Sequence, residues 1–184
     1  MTAQTSVAVL IERGFADKGL PPEQLDTIVE SLPTLDPAAS YKALWLIGYS
    51  HDVRLRGLLE TYLHRTGDPE LAAVALKMLS DCFGLSTADI GYVREALAGF
   101  EWDIVGDVMA EALVAAGRIL HDAPANPDLA ERIYAELTAE HSSLKAHAAG
   151  AACAALGLTS LEQARIPLDG SPELVQRFKD RFLV

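Results

Sequence analysis

The sequence predicts an all-α protein built from repeated helix pairs. Three observations carry this expectation. Ala (29) and Leu (27), both strong helix formers, supply 56 of the 184 residues, about 30%. No segment alternates β-branched and polar residues with the period of a strand. Four Ala/Leu-rich segments end near glycines at 48, 84, 117 and 157, spaced 36, 33 and 40 residues apart, a period that marks stacked helical repeats.

The punctuation places the individual helices. Asp36-Pro37, Asp68-Pro69, Asn126-Pro127 and Ser171-Pro172 each offer a cap residue followed by a proline suited to the first helical turn. Ser86-x-x-Asp89 and Ser160-x-x-Gln163 have the form of capping boxes. Leu32-Pro33 and the four glycines supply stops. These marks predict helices over 3–13, 22–32, 37–49, 53–65, 69–83, 88–98, 103–119, 127–138, 143–156 and 172–182, with a loop holding one short turn over 159–170. Each unit is then a polar-faced helix, a turn, and an Ala/Leu-rich helix ending in glycine.

The faces follow from the helical period. Over 103–119, Ile104, Val105, Val108, Met109, Ala112, Leu113, Ala116 and Ile119 fall on the side expected to be buried, and Asp103, Asp107, Glu111 and Arg118 on the other. Over 69–83 the polar side holds Glu70, Lys77 and Asp81. The helix 143–156 is almost entirely Ala, Gly and Cys after His147, so it is expected to lie inside, approached closely by its neighbours. Tyr41, Trp45 and Tyr49, at i, i+4, i+8, are expected to pack as core beneath the N-terminal helix.

The segments Asp68-Pro69-Glu70-Leu71 leading to Phe83-Gly84-Leu85, and Ser143-Leu144-Lys145 leading to Leu156-Gly157-Leu158, resemble the HEAT/armadillo class of helical repeats. The resemblance covers about residues 20–157. It implies a right-handed α-solenoid of about four HEAT-like helix pairs, with 3–13 and 172–182 as capping helices and residues 1–184 as a single domain. Units one and three lack the Arg that usually follows the helix start. The tetratricopeptide signature is absent, because Trp45-Leu46-Ile47-Gly48-Tyr49 has the wrong spacing.

Charge and motifs bound the function. The net charge of −11 argues against nucleic acid and against an anionic membrane surface as the main partner. Two dispersed cysteines indicate reduced thiols in a cytosol-like compartment, and the first residues lack the marks of a signal peptide. No His pair has zinc-helix spacing, and neither Glu-x-x-His pairs nor HExxH is present, so no metal or other cofactor is expected. Nucleophile elbows and phosphate loops are missing as well, and no catalytic residue stands out.

The remaining feature is an acidic stretch. Residues 95–111 hold Glu95, Glu101, Asp103, Asp107 and Glu111 and no Lys or Arg. Two readings are open: a solvated face, or a face that meets a basic protein. Trp102 beside it is either a hydrophobic staple or an exposed anchor. The expected function is a non-catalytic protein-binding module, an adaptor, scaffold or inhibitor, with Asp103, Asp107, Glu111, Trp102, Glu70 and Asp81 as the candidate binding residues. A compact acidic protein of this kind suits the role of a bacterial immunity protein. The alternatives are a HEAT-like enzyme or ligand-binding protein of the lyase or glycosylase kind, and a structural subunit that oligomerises.

Overall fold

In the computed structural model, residues 3–17, 19–167 and 170–183 are described. The described residues form helices and loops, without a strand. The helices are α1 (Ala3–Asp17), α2 (Pro22–Ser31), α3 (Pro37–Tyr49), α4 (Arg56–Leu63), α5 (Pro69–Met78), α6 (Thr87–Ala98), α7 (Asp107–Asp122), α8 (Pro127–Thr138), α9 (Lys145–Ala155), α10 (Ser160–Gln163) and α11 (Pro172–Phe182). The chain divides into two compact units, Met1–Gly84 and Leu85–Val184.

Several helix starts follow directly from their caps. The Asp36 carboxylate accepts from the Ala39 amide at 2.8 Å, Asp68 from Leu71 at 3.3 Å, and the Ser171 hydroxyl from Leu174 at 3.1 Å. Each satisfies one of the amides that a helix start leaves without an internal partner. Ser86 and Asp89 close a reciprocal capping box. Two expected caps differ. Asn126 makes no cap bond; its amide instead accepts from Arg94 at 2.7 Å and donates to the Ala123 carbonyl at 2.8 Å. The box at α10 is Thr159 with Glu162, one residue earlier than Ser160-x-x-Gln163, because the Glu162 carboxylate reaches back to the Thr159 amide at 2.8 Å.

In the first unit, α3 packs on α1, α2 and α5, and α4 packs on α5. Ile28, Leu44, Ile47, Leu59, Leu76 and Met78 form fully buried parts of this core. The aromatic line does not join it. Tyr41, Trp45 and Tyr49 contact one another along a partly exposed side of α3, with centroids 6.3 and 5.3 Å apart, and Tyr49 is 38% exposed. The Lys77 ammonium lies 5.7 Å from the Trp45 ring centre, a cation–π contact that suits a half-open site. Helix 53–65 begins with a 3-10 turn (Val53–Leu55) that leaves Val53 79% exposed.

The predicted helix 69–83 is α5 followed by a π-turn, Leu79–Phe83, which ends at Gly84 with φ +73°. Carbonyls released at this end are taken up by side chains from the α3–α4 region. His51 Nδ1 donates to the Cys82 carbonyl at 3.0 Å, and Arg56 donates to the Gly84 carbonyl at 2.7 Å.

In the second unit, α7 packs on α6, α8 and, most extensively, α9, while α11 docks on α8 and α9. The expectation that 143–156 is an inner helix holds: Ala148, Ala149, Ala151, Ala152, Cys153 and Ala155 are all buried. The glycines divide by role. Gly157, like Gly84, ends a helix at positive φ. Gly48 lies beside the last residue of α3, as expected, whereas Gly117 lies well inside α7, contrary to expectation. There they permit close packing: a Cβ on Gly48 would meet the Met78 side chain, and one on Gly117 would meet the Ala151 backbone. The α11 boundaries match the sequence reading, and Leu174 and Phe178 bury its inner face.

Candidate functional site

The acidic stretch falls within the second unit, on the end of α6, the start of α7 and the loop between them. The loop is more ordered than its length implies. Gly99 closes α6 at φ +99°, and Gly106 opens α7 at φ +85°, both in the region that glycine enters without a Cβ penalty. Two successive turns lie between them, Asp103 N–H to the Phe100 carbonyl at 3.1 Å and Gly106 N–H to the Asp103 carbonyl at 3.2 Å.

The side chains reinforce these turns. Asp103 Oδ2 accepts from the Met109 amide at 3.0 Å and so serves the free N-terminus of α7, a job that Gly106 at the cap position cannot do. The Asp103 Oδ1 atom is buried and has no hydrogen-bond partner. Tyr92, buried on α6, packs against Phe100 with centroids 5.4 Å apart, and Phe100 stacks on Trp102 at 4.8 Å with an interplanar angle of 12°. Burial pushes the Tyr92 phenol well above its ordinary range, and the nearby Asp103 and Glu95 carboxylates push it further the same way.

This geometry revises the site in three respects. Asp103 does not lie on the polar side of a helix beginning at residue 103. It precedes α7 and is engaged in holding the loop. Trp102 does not act as a staple; its ring stacks on Phe100 and is partly exposed. Ile104 and Val105, expected on the buried side, are 91% and 81% exposed, the two most exposed large hydrophobic side chains among the described residues. Their displacement has one cause: Gly106 delays the helix to Asp107, so the 100° periodicity does not reach residues 104 and 105.

Of the other predicted residues, Asp107 is exposed in the first turn of α7, where a carboxylate is favoured by the helix dipole, and Glu111 is half-buried one turn later. Glu95 and Glu101 are exposed. Glu70 and Asp81 belong to the first unit. Glu70 is exposed in the first turn of α5, and Asp81 pairs with Lys77 at 3.2 Å, an i, i+4 contact. The structure therefore joins Trp102, Asp103, Asp107 and Glu111 in one unit, with Asp103 in a supporting role.

Beside this segment, Arg94 is committed to α8. Its guanidinium binds the Asp128 carboxylate at 2.6 Å as well as Asn126, and this holds the Asp128 carboxyl below its usual range. The depression lined by Arg94, Leu97, Ala98, Asp128, Leu129 and Arg132 has a volume of about 190 Å³. Among the described residues, no group of three or more His, Cys, Asp or Glu is placed to hold a metal ion, and no helix is long and apolar enough to cross a membrane. No family model, curated protein or solved structure matches the chain.

Proposed function

We propose that the protein is a non-catalytic protein-binding module, an adaptor, scaffold or inhibitor, that meets a basic protein partner through the acidic face at 95–111. The observation that carries this reading is the local charge. Five carboxylates occupy 17 consecutive residues without a Lys or Arg, and Glu95, Glu101 and Asp107 are exposed. Like charges gathered on one short segment repel one another in the folded chain. A cationic partner would offset that repulsion and would be steered to the face from a distance.

The proposed architecture is the HEAT-like solenoid. It is supported by helices that touch the next-but-one helix as well as their immediate neighbours, α1 with α3 and α3 with α5 in one unit, α7 with α9 in the other. Solenoids present extended surfaces rather than deep pockets. The depression beside the acidic segment, at Arg94, holds about 190 Å³, small against the roughly 300–1,000 Å³ usual for small-molecule sites, so at this face a protein surface is the better-fitting ligand. Two free cysteines, one of them buried, suit a reducing, cytosol-like compartment. The most specific form of the proposal is a bacterial immunity protein that neutralises a basic toxin.

The test is the salt dependence of binding to a partner recovered from the source cell. Association should slow steeply as salt rises, because exposed charges are screened over about 8–10 Å at 0.10–0.15 M ionic strength. An association rate indifferent to salt would rule out a charge-steered acidic face.

A further inference from the structure

We propose that Ile104 and Val105 are the anchor of this interface, a preformed apolar tip that enters an apolar cleft on the protein partner, with Lys or Arg side chains on the rim of that cleft. The inference rests on the binding reading above and adds residues and a partner chemistry to it. Two adjacent branched apolar side chains, 91% and 81% exposed, lie in the loop between α6 and α7. Exposed hydrophobic residues scattered singly are ordinary, but here the pair is held out by the backbone rather than left over from a helix face. Gly99 and Gly106 at positive φ, the two turns through Asp103, and the Tyr92–Phe100–Trp102 stack fix the loop from below. A tip already held in one conformation loses little freedom on binding, which is what an anchor needs.

The nature of the occupant follows from charge. The tip is flanked along the chain by Glu101 and Asp107, with Glu95 and Glu111 further out, and no basic residue lies between 95 and 111. An anionic membrane would meet these carboxylates with like charge. A second copy in a two-fold contact would set the same acidic segment against itself, in a chain of net charge −11. A protein cleft that is apolar at its centre and basic at its rim complements both features, in the usual arrangement of a buried anchor ringed by polar contacts.

The test uses the full chain carrying p-benzoylphenylalanine at position 104 or 105, irradiated in the source cell, with the same group at exposed Val53 as control. The expected result is a cross-link from 104 and 105, not from 53, to one protein. The cross-linked peptides, mapped by mass spectrometry, should combine large apolar residues with Lys or Arg. The Ile104→Ser, Val105→Ser double variant should keep its thermal midpoint and bind that protein about tenfold or more weakly. Absence of a cross-link above the Val53 control overturns the proposal, as does cross-linking to lipid or to a second copy of the chain. If the double variant binds the partner as tightly as the native chain while a charge-reversed Asp107→Lys, Glu111→Lys chain does not, the anchor is wrong and the acidic face stands. If both variants bind like the native chain, both are wrong.

Discussion

Replacing Gly117 by Val should strongly destabilise the second unit, and even Gly117→Ala should lower its stability. A Cβ at this position in α7 would lie 2.8 Å from both the Cα and the carbonyl carbon of Ala151 in α9, and nearer still to the Ala151 carbonyl oxygen. All three obstructing atoms are backbone, so no side-chain rotation relieves them, and the two helices must separate. Overpacking of this kind costs about 1–3 kcal/mol for one added group. The gain from replacing a mid-helix glycine by alanine, about 0.5–1 kcal/mol, does not offset it. Valine adds two further carbons to the same contact and should cost about 4 kcal/mol or more, in the range of exceptional single substitutions. That is a large share of a total stability of about 5–15 kcal/mol. Gly150 supplies the control. It also lies inside α9, but a Cβ there has nothing within 4 Å. Gly150→Ala should therefore raise stability by about 0.5–1 kcal/mol. Denaturant midpoints that move in the same direction for Gly117→Ala and Gly150→Ala would contradict the close α7–α9 contact.

The largest expected effect on binding comes from the double substitution Asp107→Lys, Glu111→Lys. Its effect on folding should be modest, about 1 kcal/mol, because Asp107 is exposed and Glu111 half-buried. Losing a favourable carboxylate at the α7 N-terminus costs about 0.3–1 kcal/mol, against which the i, i+4 repulsion is unchanged in size, since two lysines repel as two acids do. Binding is affected differently. The substitution changes the local charge by four units in the middle of the face and sets cations against a basic partner. Like charges brought together at an interface cost several kcal/mol, and electrostatic steering is reversed. Measured by calorimetry or surface-based kinetics, affinity should fall by two or more orders of magnitude, roughly 3 kcal/mol or more, with most of the change in association rate at low salt. A double variant with native thermal midpoint, native affinity and native salt dependence would reduce the acidic stretch to a solvated face.

Much of the secondary structure could be read from local chemistry. Asp36-Pro37 and Ser171-Pro172 placed the starts of α3 and α11 to the residue, because an acid or hydroxyl followed by proline satisfies the helix start from within the sequence itself. Ser86 and Asp89 did the same for α6 to within one residue. What could not be read depended on distant partners. Gly48 and Gly117 look like stops in the sequence, yet each is small because another helix approaches it, and only the fold supplies Met78 or Ala151 at that point. Asn126 resembles a cap until Arg94, 32 residues away, occupies its side-chain oxygen. Tyr41, Trp45 and Tyr49 share a helix face, but spacing does not say which face is covered.

The site was partly legible for the same reasons. The run of acids between Glu95 and Glu111 was visible, and Asp107, Glu111 and Trp102 do lie in one unit. Ile104 and Val105 escape the periodicity argument because α7 begins at Asp107 and its helical period does not extend back to residue 103. The correcting signal was present. Glycines at 99 and 106 bracket the segment, and Gly106-Asp107 is a reasonable helix start, with an acid in the first turn. Asp103 then falls three residues before the cap, where its carboxylate can reach the Met109 amide.

The acidic segment's role as the binding face is tested most directly by amide hydrogen exchange of the full chain, alone and saturated with its partner. Amides of residues 100–106 sit between α6 and α7, outside the helices, and exchange on an observable timescale when the face is free. On binding, exchange should slow across 100–107 and at the first turn of α7, while the Val53–Leu55 turn and the α10 region remain as they were. Protection confined to α10 and α11, or to the first unit, with 100–107 unchanged, would contradict it and move the interface elsewhere on the molecule.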